Sequence, residues 1–253
     1  MIKEESRQAP SLIFEGMTSI SAVLKGGKRK VVTVYFDAEK AKSKAKELGF
    51  LRRRSKELGF DVKEVSSEYI DSLTTGNSHG GIIAKCSEYE VPALKQEDIC
   101  KDGFYVMIEG IEDPYNFGYA LRTIYAAGAD GVILSKRNWM SAAGVVCRSS
   151  AGASELLPMF CEDGVTAVNI LKEKGYKIAC AGIRNSVSAF DADLKKPVFL
   201  IVGGEKRGIS AAILHEADQI IRLDYGREFN GSLSAASAAS ILAYEVLRQN
   251  LKK

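Results

Sequence analysis

The chain has no apolar run that could cross a bilayer. Stretches such as Val198–Val202 and Val132–Leu134 fall far short of the ~20 residues a membrane helix requires. Cysteine is sparse: Cys86, Cys100, Cys147, Cys161 and Cys180 are odd in number, widely spaced and form no C-x-x-C. This argues against a disulfide scaffold or zinc ribbon and for a reducing cytosol. The two histidines, His79 and His215, lie far apart with no metal partner at useful spacing, so no metal is expected. Residues Met1–Gln8 are charged and lack the apolar stretch of a signal peptide, so the expected location is cytoplasmic. Also absent are G-x-x-x-x-G-K-[ST], G-x-G-x-x-G, H-E-x-x-H and G-x-S-x-G, which leaves a P-loop, an ordinary dinucleotide site and the common hydrolase sites without support.

The remaining composition is that of a globular protein. The 253 residues are 46% hydrophobic and 26% charged, enough for a sizeable core in one large domain or two small ones. Charge is distributed unevenly. Residues 1–88 hold 16 basic and 12 acidic side chains, against 19 and 20 in residues 89–253. Within Lys25–Lys56, 12 basic residues face only Asp37, Glu39 and Glu47, a net +9 over 32 residues. Such a run can be a solvated helix face. Its density and the Arg52-Arg53-Arg54 triplet favour contact with a polyanion, because guanidinium forks match phosphate oxygens. Lys28, Arg29, Lys30, Arg52, Arg53 and Arg54 are the candidate nucleic-acid-binding residues.

The first 88 residues read as a small α/β unit. Val31–Phe36 is a β-branched and aromatic strand, Ala38–Leu48 a helix, and Val62–Val65 and Gly81–Lys85 further strands. The echo of Lys46–Phe50 in Lys56–Phe60 suggests two helix ends capped by glycine. The polar stretch 89–102 reads as a linker. From residue 103 onward, short apolar runs alternate with helical patterns. The runs are Phe104–Ile108, Gly131–Leu134, Leu156–Phe160, Tyr176–Ala181, Val198–Val202 and Gln219–Leu223; the helices are Tyr119–Ala127, Gly164–Lys174, Ile209–Glu216 and Ser232–Lys252. Runs that are apolar throughout imply strands buried on both faces, hence a parallel α/β sheet between helices. Ligands in such folds bind at the carboxyl ends of the strands, which points to Glu109–Asn116, Gly203–Gly208 and the turn before Ser232.

Three segments at those ends carry the chemistry. Glu112–Arg122, Val202–Ser210 and Asn230–Ser240 each connect a strand to a helix and each contain glycine, where backbone can approach a ligand closely. Together they suggest one composite site. Their order, N-x-G-x-x-x-R (Asn116, Gly118, Arg122), G-x-E-x-x-G-[IL]-S (Gly203, Glu205, Gly208, Ser210) and S-L-x-x-[SA]-x-A (Ser232, Leu233, Ala238), resembles the motif set of the SpoU (TrmH) class of SPOUT RNA methyltransferases. Ser150–Pro158 resembles the S-A-G-A-x-E-x-x-P stretch of that class. Gly16 with Ala22-Val-Leu, the strand at Val31 and His79–Ala84 resemble its preceding substrate-binding domain.

The resemblance implies an S-adenosylmethionine-dependent methyltransferase acting on a ribose 2′-hydroxyl of ribosomal or transfer RNA. It also implies a homodimer and a deep trefoil knot in the catalytic domain. Arg122, Asn116 and Glu205 would be catalytic, and Gly203, Gly204, Glu205, Gly208, Leu223, Ser232, Leu233 and Ser234 would bind the cofactor. Residues 1–88 would form the RNA substrate-binding domain, 89–102 the linker and 103–253 the methyltransferase domain. The third motif departs from S-L-N-V-S: Ser234 stands at the asparagine and Ala236 at the second serine, after an approach (Leu223–Asn230) that lacks I-P-M. That departure motivates the alternative of a non-catalytic RNA-binding paralogue.

Overall fold

The computed structural model describes residues 11–74, 79–135, 142–204 and 208–251. In chain order its elements begin with β1 (Ser11–Glu15), α1 (Gly16–Gly26), β2 (Val31–Asp37), α2 (Ala45–Leu58), β3 (Asp61–Val65), α3 (Ser67–Leu73), β4 (Ile82–Ser87), β5 (Phe104–Glu109), α4 (Pro114–Ala126) and β6 (Gly131–Leu134). They continue with α5 (Ala143–Ser149), α6 (Ala153–Leu156), β7 (Met159–Cys161), α7 (Gly164–Glu173), β8 (Lys177–Ala181), β9 (Val187–Ser188), β10 (Val198–Gly203), α8 (Ala211–His215), β11 (Gln219–Arg222) and α9 (Ala235–Asn250). Two compact units result: residues 1–90 with 139–156, and residues 91–138 with 157–253. No helix among the described residues is long and apolar enough to cross a membrane.

The first unit is built on a four-stranded sheet of order β1-β4-β2-β3, antiparallel except for the β2–β3 pair. Phe14, Ile20, Val34, Phe36, Leu51 and Ile82 fill its core. The helix expected over Ala38–Leu48 is instead a 3-10 turn (Ala38–Lys40) followed by a helix that starts at Ala45 and runs on to Leu58. The Asp37 carboxylate caps the turn, accepting from the Glu39 amide at 3.0 Å. Gly49, read as a helix end, lies inside α2. Leu48 and Leu51 are buried one turn apart, and their packing outweighs the ~1 kcal/mol that a mid-helix glycine costs. Gly59 does end the helix, at φ +76°, with its amide bonded to Ser55 O at 2.8 Å.

The second unit holds seven parallel strands in the order β7-β6-β5-β10-β8-β11-β9. The parallel α/β sheet expected from the apolar runs is therefore present; β5, β6 and β10 are buried along almost their whole length, and β8 at its three middle residues. Residues 91–102, read as linker, are built into this unit. Ala93 bridges Cys161, and Leu94 and Ile99 join the core. Two isolated apolar residues carry no period, so their burial leaves no pattern in the sequence.

Candidate active site

Parallel strands put all their carboxyl ends on one edge of the sheet. β5 and β10 are neighbours in register, with Gly203 opposite Glu109, so the turns leading into α4 and out of β10 start side by side. The Gly204 amide donates to Glu109 O across that junction. A Cβ at Gly204 would stand 2.4 Å from Gly110 O, and one at Gly203 would stand 2.5 Å from Gly208 C. Both are backbone contacts that cannot yield, so only glycine fits this crossing. At Gly208, φ is +62° and a Cβ would meet no atom within 4 Å, which leaves that side of the turn open to a ligand. The Glu109 carboxylate, missed in the sequence reading, accepts from the Ser210 amide at 3.1 Å and fixes the start of α8. Its only sequence signal is its place at the end of an apolar run.

The third motif follows β11. One strand, β8, separates β11 from β10, so at ~4.8 Å per strand the two turns start ~10 Å apart along the edge. The loop after β8 (Gly182–Ser186) therefore emerges between them. Sequence reasoning gives that loop no role, because it carries no motif. Ser234 is the N-cap of α9: its hydroxyl accepts from the Ser237 amide at 3.1 Å and donates to Ser237 Oγ at 3.0 Å. That oxygen is thus already used in holding the helix end. Leu233 is half-buried, and its amide donates to the Tyr225 hydroxyl at 3.3 Å. Ser232 is exposed and Leu223 half-buried.

Asn116, expected in a loop, lies in the first turn of α4, which begins at Pro114 rather than Tyr119. Asp113 caps the helix and accepts from the Asn116 amide at 2.7 Å, with proline at the first helical position. Arg122, two turns on, is exposed and makes no ion pair or hydrogen bond among the described residues. Six residues of helix rotate its side chain ~120° from that of Asn116, so the two do not share one face. α9 packs against α4, and Ala235, Ala236, Ala239 and Ala243 are among its buried residues. Glu205 lies outside the described residues.

The six candidate RNA-binding residues divide sharply. Arg29 is a correction: its side chain is only 5% exposed and bonds the 3%-exposed carboxylate of Glu155 through Nε at 3.1 and 3.2 Å. The guanidinium lies over the rings of Phe14 and Tyr89, 5.2 and 5.6 Å from their centroids. Lys28 also turns inward, donating to Ser154 O at 3.0 Å, and burial lowers its pKa to about 8 against the opposing pull of Glu155. Both are drawn in because Glu155 is itself buried in this unit, and a buried carboxylate needs cationic partners. Lys30, Arg52 and Arg53 are exposed, and Arg54 is half-exposed. Arg52 pairs with Glu64 and Arg54 with Glu57, while Arg53 lies over the Phe50 ring.

A parallel α/β unit with three strand-to-helix turns at one edge, preceded by a small basic α/β unit, has the organisation of a two-domain nucleic-acid-modifying enzyme. Residues 103–244 match the SpoU rRNA Methylase family and residues 13–92 the RNA 2′-O ribose methyltransferase substrate-binding family. The chain belongs to the SpoU rRNA methylase family. It is 32% identical over 203 residues to a Staphylococcus haemolyticus protein assigned to the TrmH family of tRNA/rRNA methyltransferases, covering 78% of this chain and 81% of the relative. It is 26% identical over 242 residues to the 23S rRNA (guanosine-2′-O-)-methyltransferase RlmB of Shewanella oneidensis, covering 94% and 97%. Among solved structures it is similar to the AdoMet-bound rRNA methyltransferase of Sinorhizobium meliloti. That match has a TM-score of 0.77 and 25% identity, and covers 96% of this chain and 88% of that one.

Proposed function

We propose that this protein transfers a methyl group from S-adenosylmethionine to a ribose 2′-hydroxyl of ribosomal or transfer RNA. The carrying observation is the turn at Gly203–Gly204 packed on Gly110 beside the start of α4, which brings the first two motifs to one place. S-adenosylmethionine, when bound, supplies an electrophilic methyl on its sulfonium. The residues present fit it: Gly203, Gly204 and Gly208 offer backbone groups, with the open side at Gly208, and Leu223 and Leu233 offer apolar surface. The chain's own part is to align the acceptor and assist loss of its proton. Arg122 holds a phosphate and stabilises negative charge developing on the ribose oxygen, a role suited to a permanently charged group. Asn116 orients the ribose from the first turn of α4, and Glu205 assists Arg122 or Asn116.

Residues 1–88 present the RNA, with Lys30 and Arg52–Arg54 as the phosphate-facing set. We further propose a homodimer through α4 and α9, whose Tyr115, Tyr119 and Tyr244 remain exposed although large and apolar. The sheet order, in which β10 returns between β5 and β8, supports a knotted catalytic unit. A cytoplasmic location goes with cysteines that form no disulfide among the described residues. The test is transfer of labelled methyl to RNA from a strain lacking the protein. Arg122→Ala should cost about 10²–10³-fold in rate, as loss of a charge-stabilising donor does, with S-adenosylmethionine affinity held within about twofold. Full activity in Arg122→Ala would refute the assignment.

A further inference from the structure

We infer that the cleft between the β11–α9 loop and Phe190 is a stacking site for a nucleobase of the RNA, distinct from the cofactor's turn. The inference rests on the RNA methyltransferase reading above.

The cleft has a volume of about 510 Å³ and is walled by Phe190, Tyr225, Phe229 and Ile241, with Arg227 in its lining. The three rings are 56%, 42% and 57% exposed. None is needed by the core, and a cluster of aromatic surface left in water marks a binding site. Tyr225 and Phe229 meet edge to face at 5.7 Å. Tyr225 is fastened to the third motif through its hydroxyl and the Leu233 amide. The Phe229 ring lies over Gly231, where a Cβ would come within 2.5 Å of it. The rings are thus held in place rather than trailing from a free loop.

Flat exposed rings beside a cation suit a base with its phosphate: any base offers a π-face, and stacking tolerates all four. Arg227 makes no ion pair among the described residues and supplies the cation. The one carboxylate in the lining, Asp224, is already matched by Arg222 at 2.8 Å, so it does not repel a phosphate strongly. The occupant is the RNA rather than the cofactor's adenine because Gly203, Gly204 and Gly208 do not line the cleft. Only Leu223 and Leu233 belong to both the cleft and the candidate cofactor set.

The test compares a fluorescein-labelled RNA strand of about 12 nucleotides, mixed in sequence, with the same ribose-phosphate strand made abasic. The full-length protein should bind the base-bearing strand roughly tenfold more tightly, the gain expected of one or two stacked bases. In Phe190→Ala/Phe229→Ala that gap should shrink to about twofold or less. Phe229→Trp, which keeps a ring, should retain it. S-adenosylmethionine affinity, read by calorimetry, should be the same in all of them. A gap that survives the double variant, or is missing from the wild type, overturns the proposal. So does a parallel loss of S-adenosylmethionine binding, which would make the rings a cover for adenine. Failure of the underlying reading shows separately, as absence of labelled methyl in RNA from the wild type.

Discussion

Replacing Arg29 with Met tests whether this member of the basic run is structural. The substitution keeps much of the side-chain bulk against Phe14 and Tyr89 but leaves Glu155 buried without its guanidinium. Removing one partner of a buried pair costs about 3–5 kcal/mol, because the other charge stays desolvated. Lys28 is close enough to act on Glu155 and relieves part of that, which puts the expected loss near the lower end, about 3 kcal/mol. With a urea slope of about 2 kcal/mol/M, the midpoint of the first unit should fall by about 1.5 M. Thiol labelling read peptide by peptide follows the units separately: Cys86 and Cys147 are buried in the first, Cys180 in the second. Cys86 and Cys147 should become reactive at lower urea while Cys180 keeps its midpoint. Arg29→Met/Glu155→Leu, with neither charge left inside, should recover most of the loss. A single-variant loss below about 1 kcal/mol, or a double variant no better than the single, would refute the reasoning. Weaker RNA binding at an unchanged midpoint would return Arg29 to the RNA surface.

Lys28 sets a pH dependence. Its pKa falls from 10.5 in the unfolded chain to about 8 in the fold, so between those values the unfolded state binds more protons and folding stability rises with pH. Burial raises Cys86 and Cys147 from 9.0 to about 12; there the native state holds more protons, and stability falls above pH 9. Referring the wild type to Lys28→Met cancels the thiols, and the wild type should gain on the variant from pH 8 to about 10.5; a flat difference would sink the idea. In the second unit, Gly204→Ala should abolish S-adenosylmethionine binding and lower thermal stability, because its Cβ meets Gly110 O at 2.4 Å. Gly208→Ala should cost only the ~1–2 kcal/mol of a left-handed alanine, since its site is open. Equal effects of the two, measured by calorimetry and melting, would contradict this geometry.

What the sequence makes legible is what local periodicity controls. Phe104–Ile108 and Val198–Val202 became strands because runs apolar throughout can be satisfied only inside a sheet covered on both faces. Their parallel order then placed the turns near Gly110 and Gly203 together, which made part of the site readable. Less legible was anything decided by contacts distant in sequence. Helix α2 runs through Gly49 because Leu48 and Leu51 find a core. Residues 142–156 join the first unit although residues 91–135 before them belong to the second. The role of Glu109 depends on an amide 101 residues away.

The basic run illustrates the same limit with a consequence for function. Composition treats Lys25–Lys56 as one electrostatic feature, yet a carboxylate 126 residues from Arg29 divides it. Lys28 and Arg29 neutralise Glu155 and dock α6 onto α1, so their charge is spent within the unit and adds little to the field outside. Arg52 and Arg54 are paired too, but with exposed glutamates in high dielectric, where such pairs contribute little and a phosphate can compete for the guanidinium. The distinction is one of desolvation rather than of pairing. The outward-facing charge of this segment is therefore carried by α2 with the exposed Lys25, Lys30 and Lys42, and under the proposed RNA-binding role the number of ions released should be counted from those residues.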